Sequence, residues 1–318
     1  MRLATYLQAG EQRLGALDGD DAVVDLNRAA AARARAAGSP AATAQAHADA
    51  TVPADVLAFL TLGEAALSDA RAALDHARAL DPATAAAQLL RAPLAAVELL
   101  PPVPAPPKII CVGRNYAEHA REAGRELSPI PIIFPRFAAT LLADGGALVR
   151  PTVSEQFDWE GELAIVIGRR GRHISKEAAF DHVAGYSVFN DATIRDFQFR
   201  TTQYTAGKNF HASGPFGPAL VTKDEVADPH ALRITTHIDG ELQQDGNTRD
   251  MLFDIPTIVA HLSEFVELEP GDVIPTGTPA GVGFKRTPPR FLQPGEVVRV
   301  EVEGVGVLTN PVVAEEAR

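Results

Sequence analysis

Five prolines crowd into LLPPVPAPPK, at positions 101, 102, 104, 106 and 107. Proline fixes φ and donates no backbone hydrogen bond, so neither a helix nor a central strand can run through such a stretch. The texture of the sequence differs on its two sides. Before it alanine dominates, and residues 27–37 and 54–80 predict helices in which Val56, Leu57, Leu60 and Leu67 recur at helical spacing. Residues 2–7 and 13–25 predict short strands around Gly10 and the Gly19-Asp20 turn, while SPAATAQAHADATVP predicts little regular structure. After the prolines come β-branched runs at 108–112, 130–134, 162–167, 184–189, 218–222, 232–238, 272–275 and 297–303. One helix stands out there, over 256–266, with Pro256 in its first turn and Ile258, Val259, Leu262, Phe265 and Val266 on its apolar face. The expectation is an α+β chain with a small α-rich N-terminal cap over 1–100, a stiff linker over 101–107 and a mostly-β domain over 108–318.

Charge and composition narrow the function. Lys and Arg total 29 against 41 Asp and Glu, a formal charge of −12, with no basic stripe, so nucleic acid is not an expected partner. No apolar run reaches the ~18 residues of a spanning helix, and MRLATYLQAG lacks a signal-peptide core, so no membrane role is expected and a cytoplasmic setting is. A single cysteine, Cys111, excludes an internal disulfide. Nucleotide-binding glycine motifs and the Gly-x-Ser-x-Gly elbow are absent.

The densest chemical signal is FDWEGELAIVIG. In a strand, Asp158, Glu160 and Glu162 project from one face about 7 Å apart, an arrangement that repels unless a cation lies between them. An isolated Glu-x-Glu is ordinarily a solvated strand edge. Here it leads into an apolar run, and Asp191 closes a second one, VAGYSVFND. Glu160, Glu162 and Asp191 then converge from two strand ends into an oxygen-only site suited to Mg²⁺ or Mn²⁺, with Ca²⁺ as a third option. In GRNYAEHAREAG, His119 and Glu122 stand one helical turn apart, so the carboxylate can orient the imidazole as a general base. Arg195 and Lys208 can clamp a carboxylate and stabilise an enolate, and PTGTPAGVGF puts Thr276, Gly277 and Thr278 at a strand end where backbone can approach a ligand.

Together these runs resemble the fumarylacetoacetate hydrolase family, in the branch of acylpyruvate hydrolases, oxaloacetate decarboxylases and hydroxyheptadienedioate isomerases. GRNYAEHARE, FDWEGELAIVIG, HVAGYSVFNDATIRDFQ, GKNF, DGELQQDGNTRDMLF, LEPGDVIPTGTPAGVG and PPRFLQPGEVVRVEVEGVG occur in family order from residue 108 to about 312. The resemblance implies a mixed β-roll, usually a homodimer, with a divalent metal on Glu160, Glu162 and Asp191, a His119–Glu122 dyad and a lysine at Lys208. It implies substrate contacts from Arg114, Tyr116, Arg195, Gln198, Thr276, Gly277 and Thr278. Many members carry lysine where this chain has Arg136, which keeps the charge, changes the hydrogen-bond geometry and is expected to touch substrate.

The expected substrate is a small 2-oxo acid. The first expectation is hydrolysis of a C–C bond in a 2,4-diketo acid of the acylpyruvate or fumarylpyruvate type, with His119 deprotonating a water and the metal stabilising the enolate leaving group. The second is decarboxylation or isomerisation of oxaloacetate or a 2-hydroxydienedioate, which needs no attacking water. A third, of a different class, is a catalytically idle metal-binding scaffold.

Overall fold

A computed structural model of the chain describes residues 1–118 and 128–316. His119 and Glu122 lie outside the described residues. The expected α+β architecture is observed, as two main sheets and a short two-stranded one, with helices packed against them.

The larger sheet runs through Arg91–Pro93, Ala22–Asp25, Glu11–Asp18, Arg2–Gln8, Gly214–Thr222, Val183–Asn190, Gly161–Ile167, Val273–Pro275, Ile109–Gly113 and Ile132–Arg136. A second sheet orders Glu241–Asn247, Arg233–Ile238, Val297–Val302, Gly306–Ala314 and Leu148–Arg150. The strand Gly161–Ile167 explains how the layers meet. Every residue of GELAIVI is buried, as a strand covered on both faces requires. Leu163, Ile165 and Ile167 face a core shared with Ile234, Val298, Val300 and Leu308 of the second sheet. Ala164 and Val166 alternate to the opposite face, in the core formed with the N-terminal helices. Gly161 is small for a reason: a Cβ there would come within 2.4 Å of the Thr236 hydroxyl on the second sheet.

The N-terminal segment is woven into this sheet. Strand Arg2–Gln8 pairs with Gly214–Thr222 on one side and Glu11–Asp18 on the other, and Thr5 Oγ1 donates 2.8 Å to the Pro102 carbonyl. Pro101, Pro102 and Val103 are buried, so the proline run packs against the fold. Helix Leu26–Ala36 is capped by the Asp25 carboxylate on the Arg28 amide, and Ala29 to Ala32 are all buried. Small side chains let it lie close to helix Glu64–Ala79, which buries Ala66, Ala70, Ala73 and Ala77.

Two local expectations change. The stretch expected to lack regular structure contains a helix, Ala41–Thr51, whose Ala44 and Ala48 sit one turn apart against the core. Its inward stripe is made only of alanines, too faint a hydrophobic period to read in sequence. Helix Ile255–Phe265, capped by Asp254, buries Ile258, Val259 and Leu262 as expected, but Phe265 is exposed because the helix ends there. Among the described residues no helix is long and apolar enough to cross a membrane.

Candidate active site

Strand register assembles the acids. Gly161 pairs with Asn190 across antiparallel neighbours, so the residues flanking those positions meet: the Asp191 amide donates 2.9 Å to the Glu160 carbonyl, and the Glu160 amide donates 3.0 Å to Asn190 Oδ1. Glu162 follows two residues on. Oxygens of Glu160, Glu162 and Asp191 lie within 4.8 Å of one another, and all three residues are buried. Asp158, expected on the same face, turns elsewhere because the strand breaks at Trp159 and Glu160. Its carboxylate accepts from the amides of Gly283 (2.7 Å) and Phe284 (3.1 Å) and from Arg195 Nε (2.7 Å). It therefore fixes a wall of the site.

Three cations face the three acids. Lys208, at the end of the short helix Thr205–Lys208, is 1% exposed, and its Nζ donates 2.7 Å to Glu160 Oε2, 2.6 Å to Asp191 Oδ2 and 3.1 Å to the Asp191 carbonyl. That helix sits tightly on its neighbour Arg195–Gln198, since a Cβ on Gly207 would lie 2.5 Å from the Gln198 amide nitrogen. Arg195 spans Asp158 and Glu160, with Nη1 2.7 Å from Glu160 Oε1 and 3.0 Å from Gln198 Oε1, and its guanidinium lies 4.2 Å from the centre of the Phe284 ring. Arg136 reaches Asp191 Oδ1 at 2.5 Å.

Such a cluster is balanced in charge only on paper. Burial, then the charges of Asp191 and Glu160, push the Glu162 carboxyl well above the ordinary carboxylate range, against the pull of Lys208 and the Gly277 amide. Burial works against the Lys208 ammonium, but Asp191 and Glu160 outweigh it and raise its pKa. Lys208 thus stays charged, while Glu162 has no ion-pair partner of its own among the described residues. A dication beside Glu162 would relieve that surplus, and the donor set, three carboxylate oxygens without nitrogen or sulfur, matches a hard divalent ion.

A cavity of about 320 Å³ opens onto this cluster, with aromatic walls from Phe134, Phe199, Tyr204 and Phe284 opposite the charges. Of the residues expected to touch substrate, Arg114, Arg195, Gln198, Gly277 and Thr278 line it. Thr276 lies beneath, its hydroxyl donating 2.8 Å to the Leu163 carbonyl. Arg136 is not in the lining; it stands behind Asp191 with a fully buried side chain. Tyr116 is also turned away, into a smaller depression with Glu118, Asp245 and Asp250, and its buried hydroxyl has no hydrogen-bond partner.

Asn115, which sequence reasoning passed over, holds the site's loops together. Its amide nitrogen donates to the carbonyls of Thr276 (2.8 Å) and Phe253 (3.0 Å), and its Oδ1 accepts from the Phe253 amide (2.8 Å). Gly277 packs onto it: with φ at +101°, a Cβ at 277 would sit 2.8 Å from the Asn115 Cβ. The glycine lets its amide reach Glu162 Oε2 at 2.8 Å. The sequence offered only an asparagine inside GRNY as a signal; the structure adds that Arg114 beside it sits at φ +54°.

Known proteins are similar to this chain in sequence and fold. Residues 108–313 match the family model described as fumarylacetoacetate (FAA) hydrolase C-terminal. The chain is 46% identical over 267 residues to human oxaloacetate tautomerase FAHD2A, mitochondrial, covering 83% of this chain and 82% of that one. Among solved structures, a putative HpcE protein from Mycobacterium smegmatis superposes with TM-score 0.78 at 34% identity, over 99% of this chain and 100% of that one. Maleylpyruvate hydrolase from Sphingobium sp. SYK-6, in complex with manganese(II) ion and pyruvate, gives TM-score 0.72 at 29% identity, again over 99% and 100%.

Proposed function

The chain belongs to the fumarylacetoacetate hydrolase family, and we propose that within it the protein is a divalent-metal-dependent oxaloacetate tautomerase, interconverting the enol and keto forms. The observation that carries this reading is the buried triad of carboxylates within 4.8 Å, flanked by cations, at the floor of a cavity. The 46% identity to a relative named an oxaloacetate tautomerase supports the choice of reaction.

Ketonisation breaks the enol O–H bond and forms a C–H bond at C3, with no water added and no C–C bond cut. Glu160, Glu162 and Asp191 would hold Mg²⁺ or Mn²⁺, which when bound supplies Lewis acidity to the 2-oxo oxygen. The chain's own residues then bind, orient and move the proton. Arg195 faces the cavity with a buried Nη2 that has no partner, available to a substrate carboxylate. Lys208, kept charged by two acids, offsets negative charge developing on the C2 oxygen. His119, the general base expected from sequence with Glu122 as its partner, is assigned the proton at C3, and His119→Ala is expected to lose the ~10²–10⁴-fold that general acid–base catalysis contributes. Every described residue lining the cavity lies beyond residue 108, so residues 1–100 are read as a packing domain. Homodimerisation is part of the proposal, supported by strand Ile132–Arg136, which ends the larger sheet among the described residues, beside the exposed Ile130 and Phe137.

C–C hydrolysis is the second reading, favoured by the likeness to maleylpyruvate hydrolase. A substrate panel separates the two. Loss of enol absorbance from oxaloacetate, CO₂ release from oxaloacetate, and pyruvate release from maleylpyruvate and acylpyruvates are measured with Mg²⁺ and Mn²⁺. Enol loss should be fastest by kcat/KM; faster pyruvate release would replace tautomerisation by hydrolysis.

A further inference from the structure

In each acid of the triad one oxygen is bonded by an arginine or by a backbone amide. Asp191 Oδ1 bonds Arg136 Nη1 at 2.5 Å, Glu160 Oε1 bonds Arg195 Nη1 at 2.7 Å, and Glu162 Oε2 accepts from the Gly277 amide at 2.8 Å. The other oxygens are Asp191 Oδ2, Glu160 Oε2 and Glu162 Oε1; for Asp191 the two differ in direction, since Arg136 holds Oδ1 from outside the cavity lining while Oδ2 meets Lys208, which lines the cavity. Lys208 touches Asp191 Oδ2 and Glu160 Oε2, and a carboxylate oxygen can accept a hydrogen bond while it binds a metal.

Resting on the cation site of the proposed function, we propose that Arg136 is a positioning residue that restricts Asp191 to one-oxygen binding and so makes the site select Mg²⁺ over Ca²⁺. Mg²⁺ takes six oxygens in near-octahedral geometry, and three single oxygens on one side leave three positions for water or substrate. Ca²⁺ takes six to eight and gains from two-oxygen carboxylates, which this arrangement withholds.

Arg136 is built for that task. Its side chain is wholly buried and absent from the cavity lining. Nη1 also donates 3.2 Å to the Ala192 carbonyl, and Nη2 donates 2.7 Å to Ser213 Oγ, whose own hydrogen goes to the Phe210 carbonyl at 2.7 Å. Gly214 leaves room for the guanidinium plane, since a Cβ there would lie 3.2 Å from Nη2. A lysine would keep the charge but could not bond Asp191, Ala192 and Ser213 through one planar fork.

Calorimetric titration of the EDTA-stripped full chain with Mg²⁺ and with Ca²⁺ separately tests this. Removing a positive charge beside Asp191 raises affinity for both ions together, so the readout is their ratio. Wild type is expected to bind Mg²⁺ about tenfold or more tightly than Ca²⁺, and Arg136→Gln, which frees Oδ1, to narrow that ratio by about threefold or more. Arg136→Lys should fall between. If the glutamine variant does not fold, Arg136→Lys and Ser213→Ala carry the test, the latter keeping the charge but loosening the guanidinium, with a narrowing of about twofold expected. A ratio unchanged in these variants, or a wild type that prefers Ca²⁺, overturns the role of Arg136 alone. A wild type that binds neither ion overturns the cation site itself, and this inference with it.

Discussion

Asp25 near the N-terminus and Asp191 in the candidate site are both sheet-end carboxylates, 2% and 1% exposed, and both bond an arginine. Around Asp25 the donors exceed the charge to be met. Arg13 gives it Nε at 2.8 Å and Nη2 at 3.0 Å, the Tyr6 hydroxyl lies at 3.1 Å, and the Arg28 amide caps it at 2.9 Å. Burial and Asp25 together hold the Tyr6 phenol well above its ordinary range, so it remains a donor, and none of these residues lines the cavity of the candidate site. Asp191 instead shares Lys208 with Glu160 and stands beside Glu162, whose carboxyl is pushed upward by burial and by both neighbours. The two clusters meet the cost of a buried acid differently. One closes the account within the fold, whereas the other leaves the Glu162 carboxyl without an ion-pair partner among the described residues, facing a cavity where a cation from outside can meet it.

That contrast can be broken most forcefully at Asp25. Removing one partner of a buried ion pair costs about 3–5 kcal/mol, so Asp25→Ala should lose that much stability in urea unfolding while kcat per folded molecule stays at the wild-type value. A fall in kcat with stability intact would give Asp25 a part in the chemistry. Glu162→Gln should behave in the opposite way. It removes a ligand and relieves repulsion, so the metal-free protein should unfold no more easily than wild type. Tautomerase kcat should fall about a hundredfold or more, equivalent to ~2.7 kcal/mol. Full activity in this variant would dissolve the distinction between the clusters. The smallest expected effect is thermodynamic: Mn²⁺ at ten times its Kd should stabilise wild type by about 1.4 kcal/mol and Asp25→Ala equally, but not Glu162→Gln. Thermal melts with and without the ion read it directly.

The acids were legible because both Glu-x-Glu and Asn-Asp adjoin apolar runs, and antiparallel register does the rest. Arg136 was not. Its number in the chain says that it follows a strand, but only the packing of Ser213 and Gly214 turns its guanidinium behind Asp191 and out of the cavity. Asp158 was misplaced because alternation assumes an unbroken strand, and the chain bends at Trp159. In the N-terminal region, strand Arg2–Gln8 finds Gly214–Thr222 more than 200 residues away, and helix Ala41–Thr51 hides its inward stripe in alanines. Local pattern carries neither fact. Asn115 shows the same limit, since an asparagine's four bonding sites reveal a loop anchor only when Phe253 and Thr276 are brought beside it.

Tautomerisation by this chain requires a cation held by the triad. Protein stripped with EDTA is assayed for loss of enol-oxaloacetate absorbance before and after Mn²⁺ is restored, with the rate due to free Mn²⁺ alone subtracted, in wild type and in Glu160→Gln. Wild type should fall to the uncatalysed rate when stripped and recover fully with Mn²⁺, and the variant should not recover. A stripped wild type that keeps its rate, or a Glu160→Gln variant that recovers as wild type does, would contradict it.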